Sequence, residues 1–306
     1  MDFGIHLNNR GPGIEAEHIL GLAEAVDRLG FTSVWVSDHV VIPTEFSSTY
    51  PYAAPGSFRV ESTENFFEAL TTLAVVAGRT RHVRLGTSVL VVPQRNPVLT
   101  GKQLATLDAL SGGRVIVGAG VGWFAEEFTA LAAETFEQRG PATDEYLAVW
   151  RALWNDPTSA FNGEHYRLAP SRSFPKPRQA TSIPIWIGGN GPAAIRRAAR
   201  LGDGWHAFRP KPDELKSGID RLRELTERAG RDPETLTISV RAILRLDGAG
   251  GDRDLAGSPS QVQDRIGQLE ALGVRHLALD LIPGGRGPSA SFDLLDQLAE
   301  LVGLTA

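Results

Sequence analysis

The chain has no cysteine in its 306 residues, which excludes disulfides and any chemistry run through a thiol. Its seven histidines are scattered, and no pair stands at H-x-x-x-H or H-x-H spacing beside carboxylates, so no metal site is expected. A run of about 18 apolar residues is also missing, which removes a membrane span. The opening MDFGIHLNNRG passes straight into a strand without the basic and apolar regions of a secretory signal, and a cytoplasmic protein is the expectation. A basic excess is absent too. With 31 Lys and Arg against 36 Asp and Glu the net charge is -5, which argues against a nucleic-acid partner.

What is present is soluble material with 42% hydrophobic and 22% charged residues, enough for a large core. Residues 3–7 read as a short apolar strand. Ile19, Leu22, Ala23, Val26 and Leu29 then recur at intervals of three and four, a helix that stops at Gly30. A β-branched and aromatic strand follows at 31–36. The rhythm repeats along the chain, with further strands expected near 83–91, 114–118, 183–187, 204–207, 235–243 and 274–281, and helices between them. Only 156–182, with Pro170, Pro175 and Pro177, breaks it and reads as an insertion. Eight strands alternating with about eight helices predict a single-domain α/β fold over 1–306, a (β/α)8 TIM barrel with insertions in its βα loops.

In such a barrel the chemistry sits where the strands end. Those ends carry His6 and Asn8, Ser37 to His39, Gly118 to Trp123, Gly188 to Asn190, Trp205 and His206, Arg241, and Asp280. His39, with an acid beside it, can move a proton near neutral pH or can simply bond a loop carbonyl. In VRLGTSVLVVPQRNP (83–97), Gly86, Thr87 and Ser88 interrupt an apolar run. They mark either a bulge against a flat ligand or a tolerated polar pair. IGGNGP opens a helix at Pro192 and offers free N–H groups to an anion, or is an ordinary βα turn. VIVGAGVGW fails the dinucleotide fingerprint, because Trp123 stands where a glycine is needed; Trp123 covers an aromatic ligand or fills the core. From His165 to Leu201 there is no acid, while Arg167, Arg172, Lys176, Arg178, Arg196, Arg197 and Arg200 are all present. That points to a polyanionic ligand, with a solvated helix face as the alternative for Arg196 and Arg197. The loop from 40 to 62 is long enough to be functional.

Taken together, Trp35-Val36-Ser37-Asp38-His39, LGTSVLVVPQRNP, GAGVGW with Glu126 and Glu127 behind it, IGGNGP and RLGDGW resemble the bacterial luciferase-like flavin and deazaflavin barrel family over nearly the whole chain. The resemblance implies FMN or coenzyme F420 at the strand ends, behind whose ring a bulge carries a non-proline cis peptide, here Ser88-Val89. It assigns cofactor contacts to Asp38, His39, Thr87, Ser88, Val89, Gly120 and Gly188, the phosphate to Gly189, Asn190 and Gly191, and the catalytic proton to His39. His6, Trp123, Trp205, His206 and Arg241 are the expected substrate-lining residues. The Ser-Asp-His form is similar to the F420-dependent branch, and the acid-free segment would suit that cofactor's polyglutamate tail. The match extends to F420-dependent sugar-phosphate dehydrogenases, but Trp123 replaces their glutamate after the fourth strand, which puts glucose 6-phosphate in doubt. The implied function is an F420-dependent oxidoreductase of a small molecule. The alternatives are an FMNH2-dependent two-component monooxygenase fed by a separate reductase, and a non-catalytic flavin-binding homologue. A homodimer is implied in each case.

Overall fold

All eight expected strands form and close on one another. In the computed structural model, which describes residues 1–52, 64–246, 248, 250–282 and 289–304, they are β1 (Asp2–His6), β2 (Ser33–Val36), β3 (Arg84–Thr87), β4 (Val115–Gly120), β5 (Ile185–Gly188), β6 (Gly204–Phe208), β7 (Thr237–Arg245) and β8 (His276–Leu281). Neighbours in chain order pair in parallel, and β8 returns to β1 in a register running from Asp2↔His276 to His6↔Asp280. Every residue of β2, β4 and β8 is buried, as strands covered on both faces require. This is the expected (β/α)8 barrel.

The outer ring consists of α1 (Ala16–Arg28), α2 (Ala69–Arg79), α3 (Pro97–Ser111), α4 (Ala125–Ala130), α5 (Arg139–Asn155), α6 (Pro192–Leu201), α7 (Pro212–Arg228), α8 (Pro259–Ala271) and α9 (Ala290–Leu301). Local signals set their ends. Asn96 accepts hydrogen bonds from the Val98 and Leu99 N–H groups, Pro97 takes the first helical position, and Gly112 closes α3 in the left-handed region. The insertion at 156–182 contains an antiparallel pair, Ser159–Asn162 with Arg167–Ser171. Glu145 of α5 anchors it by accepting from the N–H groups of Glu164, His165 and Tyr166. The loop expected at 40–62 is described as far as residue 52; its remainder lies outside the described residues. Among those residues no helix is long and apolar enough to cross a membrane.

Glycines decide how the barrel is filled. A Cβ on Gly86 would overlap the Trp35 ring, and one on Gly4 would lie 2.6 Å from Trp35 Nε1. The indole therefore crosses the interior and stacks on His206 with ring centroids 5.0 Å apart and on Trp186 at 5.4 Å. Toward the strand ends the chain gains a residue. Gly86 pairs with Ile116 and Leu90 with Ala119, four steps along one strand against three along its partner, which is a β-bulge. Its Ser88-Val89 peptide is cis, at the position the resemblance implied. Val89 lodges against β4 and β5, where a Cβ on Gly188 would lie 2.5 Å from Val89 Cγ1 and one on Gly120 would overlap Val89 Cγ2.

Gly120→Ala and Gly188→Ala should therefore each lower stability by about 1–3 kcal/mol through overpacking. Gly191→Ala is the control, since a Cβ there meets nothing within 4 Å. Denaturant midpoints compare the three, and equal midpoints would show that Val89 is not seated by this packing.

Candidate active site

The strand ends open into one large cavity of about 1170 Å³. Its floor is an ion pair. Arg241 at the middle of β7 donates from Nε and Nη2 to the two carboxylate oxygens of Asp280 on β8, both at 2.8 Å. The remaining nitrogen, Nη1, donates to the Ser88 carbonyl oxygen at 2.8 Å and reaches Ser37 Oγ at 3.2 Å. His6 completes the group, with Nε2 3.0 Å from Ser37 Oγ and Nδ1 3.1 Å from the Asn8 N–H. Burial, helped by the Arg241 charge, pushes His6 down to about 3, so the ring is neutral at physiological pH. Burial works to raise Asp280, but Arg241 and His6 outweigh it and hold the carboxyl below its ordinary value.

One wall is built by the tripeptide after β2. Ser37 joins the floor. Asp38 accepts from Arg95 Nη2 and from the Val91 N–H, both at 2.8 Å, and so fixes the segment that follows the bulge. His39 Nδ1 lies 2.7 Å from Glu127 Oε2. Glu127 is fully buried, and its other oxygen accepts from the N–H groups of Val40 at 2.7 Å and Val41 at 3.3 Å. Burial opposes its ionisation, but the His39 ring, the Val40 N–H and the Gln94 side chain hold it below the ordinary glutamate value. It is a carboxylate facing an imidazole.

The neighbouring acid does a parallel task. Glu126 accepts from the N–H groups of Ser47 at 2.7 Å and Ser48 at 3.2 Å, while Ser48 Oγ accepts from the Ala125 N–H at 3.1 Å. Two consecutive glutamates in the first turn of α4 thus pin the loop after β2 at two points. Aromatic rings fill the space between. Trp123 stacks on Phe124 at 4.8 Å, Tyr50 packs edge-on against Trp123 at 5.2 Å and Phe46 against Phe124 at 4.9 Å. Tyr52 packs edge-on against Phe208 at 5.2 Å.

Of the residues expected from sequence, His6, Asp38, His39, Ser88, Val89, Gly120, Trp123, Gly188, Gly189, His206 and Arg241 border this cavity. Four do not. Thr87 is buried in the strand pair and donates to the Gly118 carbonyl at 2.9 Å. Trp205 faces outward against Gly218 of α7, its Nε1–H donating to the Gly189 carbonyl at 2.7 Å. The Asn190 side chain clamps the Phe208 backbone through bonds of 2.7 and 2.9 Å, and Gly191 is the N-cap of α6. Asp38 borders the cavity with its carboxylate already committed. The acid-free segment is corrected as well: none of its seven basic side chains borders the cavity. Arg197 and Arg200 pair with Asp144 of α5, and Lys176 donates to the Leu153 and Asp156 carbonyls. One acid distant in sequence, Asp144, thus pairs with two of the seven. The residues that sequence reasoning left without a role are Glu127, Glu126, Ser37, Arg95, Tyr50 and Tyr52. The two adjacent acids after GAGVGW were the available signal for the first pair.

The Glu126 clamp gives a pH dependence. Burial opposes its ionisation, but the Ser48 hydroxyl and the Ser47 and Ser48 N–H groups hold the carboxyl at about 2 rather than 4.5. A depressed carboxyl supports the fold fully above its unfolded value and loses that support as pH falls through the folded one. Loop closure should therefore persist above 4.5 and weaken toward about 2. At neutral pH, Glu126→Gln should speed amide hydrogen exchange at Ser47 and Ser48 by on the order of tenfold, the loss of a charge-assisted bond. Unchanged exchange would mean that the loop is held elsewhere. On the floor, Asp280→Asn should cost about 3–5 kcal/mol in chemical denaturation, because it leaves Arg241 buried without its counter-charge.

With this geometry in place, comparison with known proteins is informative. Residues 1–247 match the family model described as luciferase-like monooxygenase. An uncharacterized protein of Mycobacterium tuberculosis is 35% identical over 227 residues, 74% of this chain and 76% of that one. The F420-dependent glucose-6-phosphate dehydrogenase of Amycolatopsis mediterranei is 30% identical over 230 residues, 74% of this chain and 64% of the enzyme. Among solved structures, the monooxygenase RslO1 of Streptomyces bottropensis superposes with a TM-score of 0.78 at 24% identity, covering 99% of this chain and 98% of that one. An F420-dependent secondary alcohol dehydrogenase, in complex with an F420-acetone adduct, gives 0.77 at 18% identity with 98% of both chains covered. These two likenesses are of fold.

Proposed function

The chain belongs to the luciferase-like monooxygenase family, and on that premise we propose that it is an oxidoreductase that binds coenzyme F420 at the barrel mouth. In this reading hydride passes between the deazaflavin C5 and a small organic substrate, and His39 handles the accompanying proton. The observation that carries it is the His39–Glu127 pair on the wall of the cavity that the Ser88-Val89 bulge also borders. A relative named as an F420-dependent dehydrogenase supports the choice of cofactor.

The residues present fit such a group. Gly120, Gly188 and Gly189 leave part of the wall without side chains, and Val89 offers an apolar surface beside them. The volume of about 1170 Å³ exceeds the roughly 300–1,000 Å³ of an ordinary small-ligand pocket, so a cofactor ring and a substrate have room together. F420, when bound, supplies a carbon centre that gives or takes hydride. The protein supplies the rest. Ionised Glu127 keeps a proton on His39 Nδ1, which makes Nε2 the nitrogen that takes the substrate hydroxyl proton or returns it. Trp123 and Phe124 set apolar surface against the His39 ring, each at 6.0 Å.

One observation favours a second reading, an FMNH2-dependent monooxygenase served by a separate reductase. The basic side chains of 165–201 do not border the cavity, so within it that segment offers a polyglutamate tail no charged bed, whereas FMN carries a single phosphate. For either cofactor we propose a homodimer through α2 and α3, whose outer faces expose Val75, Leu99 and Leu110.

Fluorescence-quench titration of the purified protein with F420, FMN and, without oxygen, FMNH2 separates the readings. F420 should bind at least tenfold more tightly than FMN, and turnover should consume no oxygen. Preference for FMNH2 with oxygen uptake would replace the first reading by the second, and binding without any turnover would leave a non-catalytic homologue. His39→Ala should keep cofactor affinity within a few fold while turnover falls by on the order of 100-fold. Glu127→Gln should lower turnover by a smaller factor and shift its pH profile, and unchanged rates in both variants would remove the pair from the mechanism.

A further inference from the structure

A line of hydrogen bonds runs under the bulge from one side of the barrel to the other. Trp35 Nε1–H donates to Ser33 Oγ at 2.9 Å, and Ser33 Oγ lies 2.8 Å from His276 Nε2. His276 Nδ1 lies 2.9 Å from Ser239 Oγ, which in turn lies 2.8 Å from His206 Nδ1. His206 Nε2 ends the line 2.8 Å from Ser88 Oγ. Ser33, His276, Ser239 and His206 are all at most 3% exposed, whereas Ser88 borders the cavity.

The line has a direction. Burial lowers His276 to about 3 and, helped by the Arg241 charge, lowers His206 well below its ordinary value. Both rings are neutral, so each donates at one nitrogen and accepts at the other. Among the described residues Ser239 Oγ has the two rings as its partners, and it must accept from one and donate to the other. Every link therefore points the same way, toward Ser33 or toward Ser88.

If the links pointed toward Ser33, its hydroxyl hydrogen would need an acceptor. Among the described residues its hydrogen-bond neighbours would be the Trp35 indole N–H, which only donates, and a His276 Nε2 that was already donating. A hydrogen with no acceptor would sit in the closed barrel interior, an arrangement that native structures avoid. Pointing toward Ser88, every donor of the line inside the barrel is matched. Ser33 donates to His276 Nε2, His276 Nδ1–H to Ser239, Ser239 to His206 Nδ1, and His206 Nε2–H to Ser88. Ser88 Oγ then accepts from His206 and, at 3.3 Å, from Arg241 Nη1. Its own hydrogen is left for the cavity.

We infer that Ser88 is a hydrogen-bond donor to the bound ligand, and that Trp35, Ser33, His276, Ser239 and His206 are positioning residues that fix this polarity from within the barrel. The ligand atom it meets is an acceptor, a carbonyl oxygen or an unprotonated ring nitrogen. The polarity follows from the protein alone and does not rest on the choice between F420 and FMN.

Long-range ¹H–¹⁵N correlation of protein labelled at histidine reads the polarity without ligand or mutation. His276 should carry its proton on Nδ1 and His206 on Nε2; the opposite pair of tautomers, or a protonated ring at neutral pH, would overturn the inference. With F420 and FMN as probes, Ser88→Ala should weaken the probe that wild type binds by about 3- to 10-fold, the worth of one neutral hydrogen bond, and shift its bound absorption maximum. Unchanged affinity and spectrum would show that the hydroxyl does not reach the ligand. If wild type binds neither probe, the proposed function falls, while the histidine tautomers still decide the direction of the line.

Discussion

Val89 occupies space that two neighbouring strands leave open by carrying glycine, and much of the barrel mouth follows from that seat. Gly118, Gly120 and Gly188 admit the bulge, and the bulge turns the Ser88 carbonyl to Arg241 and the Ser88 hydroxyl to His206. Arg241 then requires Asp280, and the pair sets the charge environment of His6. Taking an ion pair out of water costs several kcal/mol per ion before its hydrogen bonds are counted. Here each Arg241 nitrogen has an acceptor and both Asp280 oxygens have a donor, so the geometry that offsets that cost is complete.

The second organising fact is that Ser37, Asp38 and His39 leave one strand and tie three different elements. Ser37 binds the floor, Asp38 the segment beyond the bulge, and His39 the short helix α4. That helix carries two adjacent glutamates, one holding Val40 and Val41 and the other Ser47 and Ser48 of the loop after β2. Moving the bulge would therefore move His39 as well, because its neighbour Asp38 is bonded to the Val91 N–H and to Arg95, both at 2.8 Å.

The barrel was legible in sequence because alternation of strand and helix is a local pattern repeated eight times, and the ends of most elements fall within a few residues of the turn and cap signals. The bulge was legible for a different reason. Gly86, Thr87 and Ser88 are the wrong residues for a plain buried strand, and a local mismatch of that kind marks a site. What stayed hidden depends on pairing across the chain. Nothing near Glu127 in sequence says that its partner is His39, 88 positions away. Thr87 ends β3 as expected, whereas Trp205 is the second residue of β6, and both side chains take the other face; with a period of two, an error of one position reverses inside and outside.

The acid-free segment shows the limit of reading charge along a chain. A stretch of one sign becomes a field in space only if its neighbours in the fold lack the opposite sign, and Asp144 of α5 supplies that sign to Arg197 and Arg200. The same holds at the cavity, where Arg241 is matched by Asp280 and Arg95 by Asp38. Arg139 is turned onto the Phe136 ring and the Gly122 and Phe136 carbonyls. Recognition of an anionic group at this mouth then falls to oriented N–H groups more than to these cations. At the turn that the resemblance gives to a phosphate, the Tyr52 hydroxyl lies 3.3 Å from where a Cβ on Gly189 would stand. Tyr52 stands on the loop clamped by Glu126 and Glu127, so the position of that loop sets the space over Gly189.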